Sequence, residues 1–76
     1  MKQYIESSIV KIISEKLGID TELIKLESTL IDLGADSLDT IEIMMEIESR
    51  YNIEFPEEWF PGTVKDLILR TKKLCV

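Results

Sequence analysis

The chemistry this chain could support centres on Ser37. It follows Leu33-Gly34-Ala35-Asp36 and precedes Leu38-Asp39-Thr40, where a loop gives way to a helical pattern. Acidic residues flank it on both sides. A hydroxyl at the first turn of a helix lies beside unpaired N–H groups and the positive end of the helix dipole, so a phosphate ester is well tolerated there. Three roles are open to such a hydroxyl: attacking a substrate, capping a helix, or carrying a group.

The attacking role finds no support. Gly34-Ala35-Asp36-Ser37-Leu38 superficially resembles the Gly-Asp-Ser-Leu signature of one esterase class. That chemistry needs a base to take the serine proton, normally a histidine held by a carboxylate, and the chain contains no histidine. No lysine lies in the acidic region around Ser37, and 76 residues leave little room for an oxyanion hole and a substrate pocket. No catalytic residue is assigned, and the chain is expected not to be an enzyme. No metal ligand is assigned either. One cysteine without histidine cannot form a zinc site, and Asp32, Asp36 and Asp39 lack calcium-loop spacing. Cys75 reads as a thiol in a frayed terminal turn.

Charge is distributed unevenly. The net charge is −6, yet residues 26–64 hold ten acidic side chains against Arg50 alone, a regional charge of −9. Lys65, Arg70, Lys72 and Lys73 against Asp66 give the last twelve residues +3. Such an acidic region repels nucleic acid and anionic lipid, whose binding needs basic residues. It attracts basic protein surfaces and speeds encounter with them, although a charged surface also simply keeps a small domain in solution. A single cysteine fits a reducing compartment. The first residues lack the apolar run of a signal peptide, and no stretch is long enough to span a bilayer. A cytoplasmic monomer without membrane insertion is expected, with residues 1–76 forming one domain.

Three helices must position Ser37. Tyr4, Ile5, Ile9, Ile12, Ile13 and Leu17 recur at helical spacing, predicting a helix from about residue 2 to 17 with Gly18 as its stop. Residues 19–35 form a long connection expected to pack over the core through Ile19, Leu23, Ile24, Leu26, Leu30, Ile31 and Leu33. A second helix should start after Asp36, an N-cap residue, with Asp39 completing a capping box, and should end near Asn52. Its Ile43, Met44, Ile47 and Tyr51 read as the core stripe. Leu38, Ile41 and Met45 form a second stripe, which is either the edge of a wide core face or a docking surface. Glu57–Phe60 could add one helical turn before Pro61-Gly62. Thr63 can cap a last helix built on Val64, Leu67, Ile68 and Leu74. The fold class is therefore all-α, a small antiparallel bundle of three main helices plus an optional short one, with a long packed loop between the first two.

The stretch from Leu33 to Thr40, with Glu42, Glu48 and the Tyr51…Phe55-Pro56 ending, resembles the acyl carrier protein family, the phosphopantetheine-dependent carriers. Leu17-Gly18-Ile19 is similar to the end of that family's first helix, and the resemblance covers essentially the whole chain. It implies that Ser37 receives a covalent 4′-phosphopantetheine from coenzyme A through a separate phosphopantetheinyl transferase. The terminal thiol of that arm would carry acyl groups as thioesters in fatty-acid or related lipid or polyketide synthesis. The resemblance also implies that Asp36, Leu38, Asp39, Ile41, Glu42, Met45 and Glu48 face partner enzymes, namely acyl-loading and acyl-transferring synthases with basic docking surfaces. An aminoacyl or peptidyl carrier, or an unmodified acidic interaction module, are the alternatives. The segment from Pro56 to Thr63 is shorter than the family's usual one, and Ser49 and Arg50 interrupt an acidic run, so a specialised carrier fits the resemblance at least as well as the general fatty-acid one. Trp59 and Phe60 either plug the core or line a cargo pocket.

Overall fold

The computed structural model describes residues 4–75. Three helices make up the fold: α1 (Ile5–Leu17), α2 (Ser37–Tyr51) and α3 (Val64–Leu74), with a 3₁₀ turn at Thr21–Leu23. α1 is the central element and packs against both α2 and α3. Its buried residues Ile5, Ile9, Ile12 and Ile13 follow i, i+4, i+7 and i+8, so one stripe meets Ile43 and Ile47 of α2 and Val64, Leu67 and Ile68 of α3 in a single core. The fold is thus the all-α bundle expected from the periodicity. The predicted start of α1 at residue 2 lies outside the described residues. No helix among the described residues is long and apolar enough to cross a membrane.

Each helix ends where local chemistry dictates. Gly18 adopts the left-handed conformation (φ 68°) and donates its N–H to Ser14 O at 2.8 Å, closing α1. Asn52, also left-handed (φ 55°), closes α2 through Glu48 O. α3 opens with a second capping box, in which Thr63 Oγ1 accepts from Asp66 N and Asp66 Oδ2 accepts from Thr63 N, both at 3.1 Å.

The long connection is anchored differently from the sequence expectation. Ile24, Leu30 and Ala35 are buried and Ile19 and Leu33 are half-buried, but Leu23, Leu26 and Ile31 face solvent. Three tight turns account for this, the one that carries Leu26 being closed by Ser28 N to Lys25 O at 3.1 Å. The 3₁₀ turn ends at Leu23, and the Thr29–Gly34 turn, closed by Gly34 N to Ile31 O at 2.9 Å, carries Ile31 on its outside. Neighbouring side chains in a turn diverge, so a run of apolar residues cannot all point inward. The connection is instead fastened by its backbone. Ser28 O and Leu26 O accept the N–H groups of Val64 and Lys65 at 2.9 and 3.0 Å, and Thr29 bridges to Thr63. First-turn donors of α3 that would otherwise be unpaired are thereby satisfied.

The optional fourth helix does not form. Residues 56–59 make a single turn closed by Trp59 N to Pro56 O at 3.1 Å. Four residues between two prolines are too few to nucleate a helix, and the residue before Pro61 is biased toward extended backbone. Cys75 also departs from expectation. It is half-buried against the core, with its N–H bonded to Thr71 O at 3.0 Å.

Candidate functional site

The surroundings of Ser37 are built by the turn before it and the cap beside it. Gly34 has φ 101°, a conformation that side-chain-bearing residues rarely adopt, and a Cβ there would meet nothing within 4 Å. The glycine is required by backbone conformation, not by space. Ala35 is buried and returns its N–H to Leu30 O at 2.9 Å, so the chain enters α2 from a fixed direction. Asp36 then caps the helix. Its Oδ1 accepts from Asp39 N at 2.8 Å, and Asp39 Oδ2 accepts from Asp36 N at 3.3 Å. Thr40, which is buried, donates its hydroxyl to Asp36 O at 3.0 Å.

This arrangement leaves Ser37 with no structural task. Its side chain is exposed, and its hydroxyl has no hydrogen-bond partner among the described residues. The N–H groups of Ser37 and Leu38 likewise have no acceptor there, unlike those of Val64 and Lys65 at the start of α3. Two unpaired donors at the positive end of a fifteen-residue helix suit a phosphate oxygen. Replacing Asp36 with alanine removes the cap and is expected to cost about 1 kcal/mol. In a domain of this size that lowers the melting temperature by roughly 4–8 °C, measurable by circular dichroism.

The second stripe of α2 is open surface and not the edge of the core. Leu38, Ile41 and Met45 are 61, 45 and 60% exposed, whereas Ile43 and Ile47 are fully buried. Asp36 and Glu42 are exposed beside this stripe and Asp39 is half-buried. Glu42 also reaches Lys16 Nζ on α1 at 3.4 Å, a loose surface pair. Glu48 stands apart from the group, because it is half-buried and its Oε2 accepts the Phe55 N–H at 2.8 Å, pinning the loop after α2. Ile31, six residues before Ser37, is 77% exposed, although its apolar character predicts a place in the core.

A half-open groove of about 670 Å³ runs along this side of α2. Ile41, Met44 and Met45 form one wall and Phe55, Trp59 and Phe60 the other, with Glu48, Glu54 and Glu57 also lining it. Ile41 begins one helical turn, about 6 Å, from Ser37. Trp59 is half-buried and stacks on Phe55 with ring centroids 5.3 Å apart, while Phe60 is half exposed. Both aromatics therefore line a groove, and Trp59 also packs on the core edge.

The region's charge has few local partners. Among the described residues Lys16–Glu42 is the only ion pair, so the −9 of residues 26–64 is largely uncompensated. Millimolar Mg²⁺ is expected to raise the melting temperature by a few degrees, more than NaCl at equal ionic strength. An unchanged melting curve would contradict a concentrated acidic face.

A family model described as the phosphopantetheine attachment site matches residues 7–69, a span that takes in α2 whole and most of α1 and α3. The chain belongs to this family of carrier proteins, whose members hold a covalently attached 4′-phosphopantetheine on a serine.

Proposed function

We propose that Ser37 is the attachment serine and that the chain is an acyl carrier protein, acting as a cytoplasmic monomer. The observation that carries this reading is the free Ser37 hydroxyl beside the unpaired N–H groups of Ser37 and Leu38, next to a cap completed without it. Those two donors and the dipole of α2 hold a phosphodiester at Ser37, a placement worth about 0.3–1 kcal/mol. The terminal thiol of the bound arm holds cargo as a thioester. The chain itself is no enzyme: a phosphopantetheinyl transferase installs the arm, and separate synthases act on the cargo.

The surface around Ser37 divides the work of docking. Asp36, Asp39 and Glu42 draw in basic surfaces, and charge of this kind raises association rates more than affinity. Leu38, Ile41 and Met45 give a small apolar contact that suits brief exchange between many enzymes. Glu48 acts from one side, holding Phe55 and with it the groove wall. An alkyl chain leaving Ser37 along α2 finds apolar side chains on both walls of the groove, which supports fatty-acid or related lipid or polyketide cargo.

A second reading has its own support. Glu54 and Glu57 along the same groove suit the ammonium of an aminoacyl group. Loading the arm-bearing protein with acyl- and aminoacyl-adenylating enzymes decides between them. The acyl reading expects acyl thioester to accumulate in preference, and preferential aminoacylation would replace it.

A further inference from the structure

α3 presents a charged surface of opposite sign to the one around Ser37. Val64, Leu67, Ile68 and Thr71 form its buried side. Lys65, Leu69, Lys72 and Lys73 lie on the outer side at i, i+4, i+7 and i+8, and all are exposed, Leu69 at 52%. Arg70 borders them, its guanidinium carbon 5.1 Å from the centre of the Trp59 ring. Trp59, Leu69, Arg70 and Lys73, with Asp66, line a cleft of about 260 Å³. Asp66 is the only acid of α3, and its Oδ2 is engaged by the Thr63 N–H. None of the four cations of α3 has a carboxylate partner among the described residues.

We propose that this face of α3 docks an acidic segment of a partner protein, with an apolar side chain of that segment seated against Leu69 and Trp59. Four unpaired cations around an exposed leucine and an aromatic ring supply both halves of such a contact: charge for orientation and a dry point for affinity. A compact segment fits better than an extended polyanion. α3 is only about 16 Å long, and a membrane or nucleic acid would set its charge against the −9 of residues 26–64 as well. The two surfaces therefore select different partners. A basic enzyme is steered to Ser37 and repelled by α3, while an acidic segment is steered to α3 and kept from Ser37. The chain can then be tethered by α3 while Ser37 stays accessible. This docking does not depend on the identity of the group carried at Ser37.

Trp59 is the sole tryptophan and lines both the α3 cleft and the groove beside α2, so its fluorescence reports binding at either and amide shifts decide which. The probe is a synthetic peptide rich in Asp and Glu with one central leucine, titrated into the full chain at low salt. The expected result is a saturable change in Trp59 emission, with amide shifts at residues 65–73 and not along α2. Combined Lys65→Gln, Lys72→Gln and Lys73→Gln is expected to weaken binding about tenfold, and Leu69→Ala roughly fivefold. All four positions are exposed, so the variants should stay folded, the lysine variant melting a few degrees lower because Lys72 and Lys73 sit at the C-terminal end of α3. Ionic strength of about 0.5 M should abolish the signal. The proposal is overturned by no saturable change, by shifts centred on α2, or by equal binding of a peptide whose leucine is replaced by serine. Tighter binding to vesicles of anionic lipid than to the peptide would also overturn it, in favour of a membrane surface.

Discussion

Replacing Ile43 with alanine is expected to remove about 2–5 kcal/mol of stability, the usual cost of truncating a buried aliphatic side chain. Ile43 is fully buried where α2 meets α1. A chain of 76 residues has a total stability of roughly 4–11 kcal/mol at typical per-residue values. The variant should therefore lose a large share of its folded margin. Urea denaturation followed by circular dichroism should show a much lower midpoint with an unchanged slope. Leu38→Ala, on the same helix but 61% exposed, should stay within about 0.5 kcal/mol of the parent. If both variants behaved alike, the division of α2 into a core stripe and a free stripe would be wrong.

The free stripe carries the second large effect. Replacing Leu38 and Met45 together with alanine is expected to lower kcat/KM for arm attachment by a phosphopantetheinyl transferase at least about tenfold. The melting curve should not move, since both side chains are mostly in solvent. Small interfaces concentrate their affinity in a few apolar contacts, so two such losses are felt strongly even when the surrounding charge is intact. Added salt should slow attachment to the parent and the variant alike, because the attraction proposed for Asp36, Asp39 and Glu42 is long-range. Attachment to the double variant at the parent rate would remove the stripe from the docking surface.

What was legible in the sequence was what is encoded locally. The start of α2 rests on Asp36 and Asp39 three residues apart, and the same spacing recurs in Thr63 and Asp66 at α3; both capping boxes form. Gly18 and Asn52 end their helices through a backbone conformation that their own residue types favour. Less legible was anything that depends on what lies opposite. Leu38, Ile41 and Met45 have the same spacing whether or not another element covers them, and only the packed fold shows that none does. Ile31 sits between Leu30 and Asp32 with nothing to distinguish it from a core anchor until the turn directs it outward. Contacts such as Phe55 N to Glu48 Oε2, Trp59 with Arg70, and Val64 N to Ser28 O join residues with no periodic relation. They arise from the assembled fold and leave no pattern in the chain.

The helix start gives Ser37 its central place. A glycine in a left-handed turn sets the entry, Asp36 and Asp39 complete the cap, and two N–H groups beside an exposed hydroxyl are left for a ligand. The most direct test is intact-protein mass spectrometry after incubation with coenzyme A, Mg²⁺ and a broad-specificity phosphopantetheinyl transferase. The parent chain should gain one phosphopantetheine group per molecule, and a Ser37→Ala variant with an unchanged melting curve should gain none. No added mass on the parent chain, or an addition that survives Ser37→Ala, would contradict the assignment.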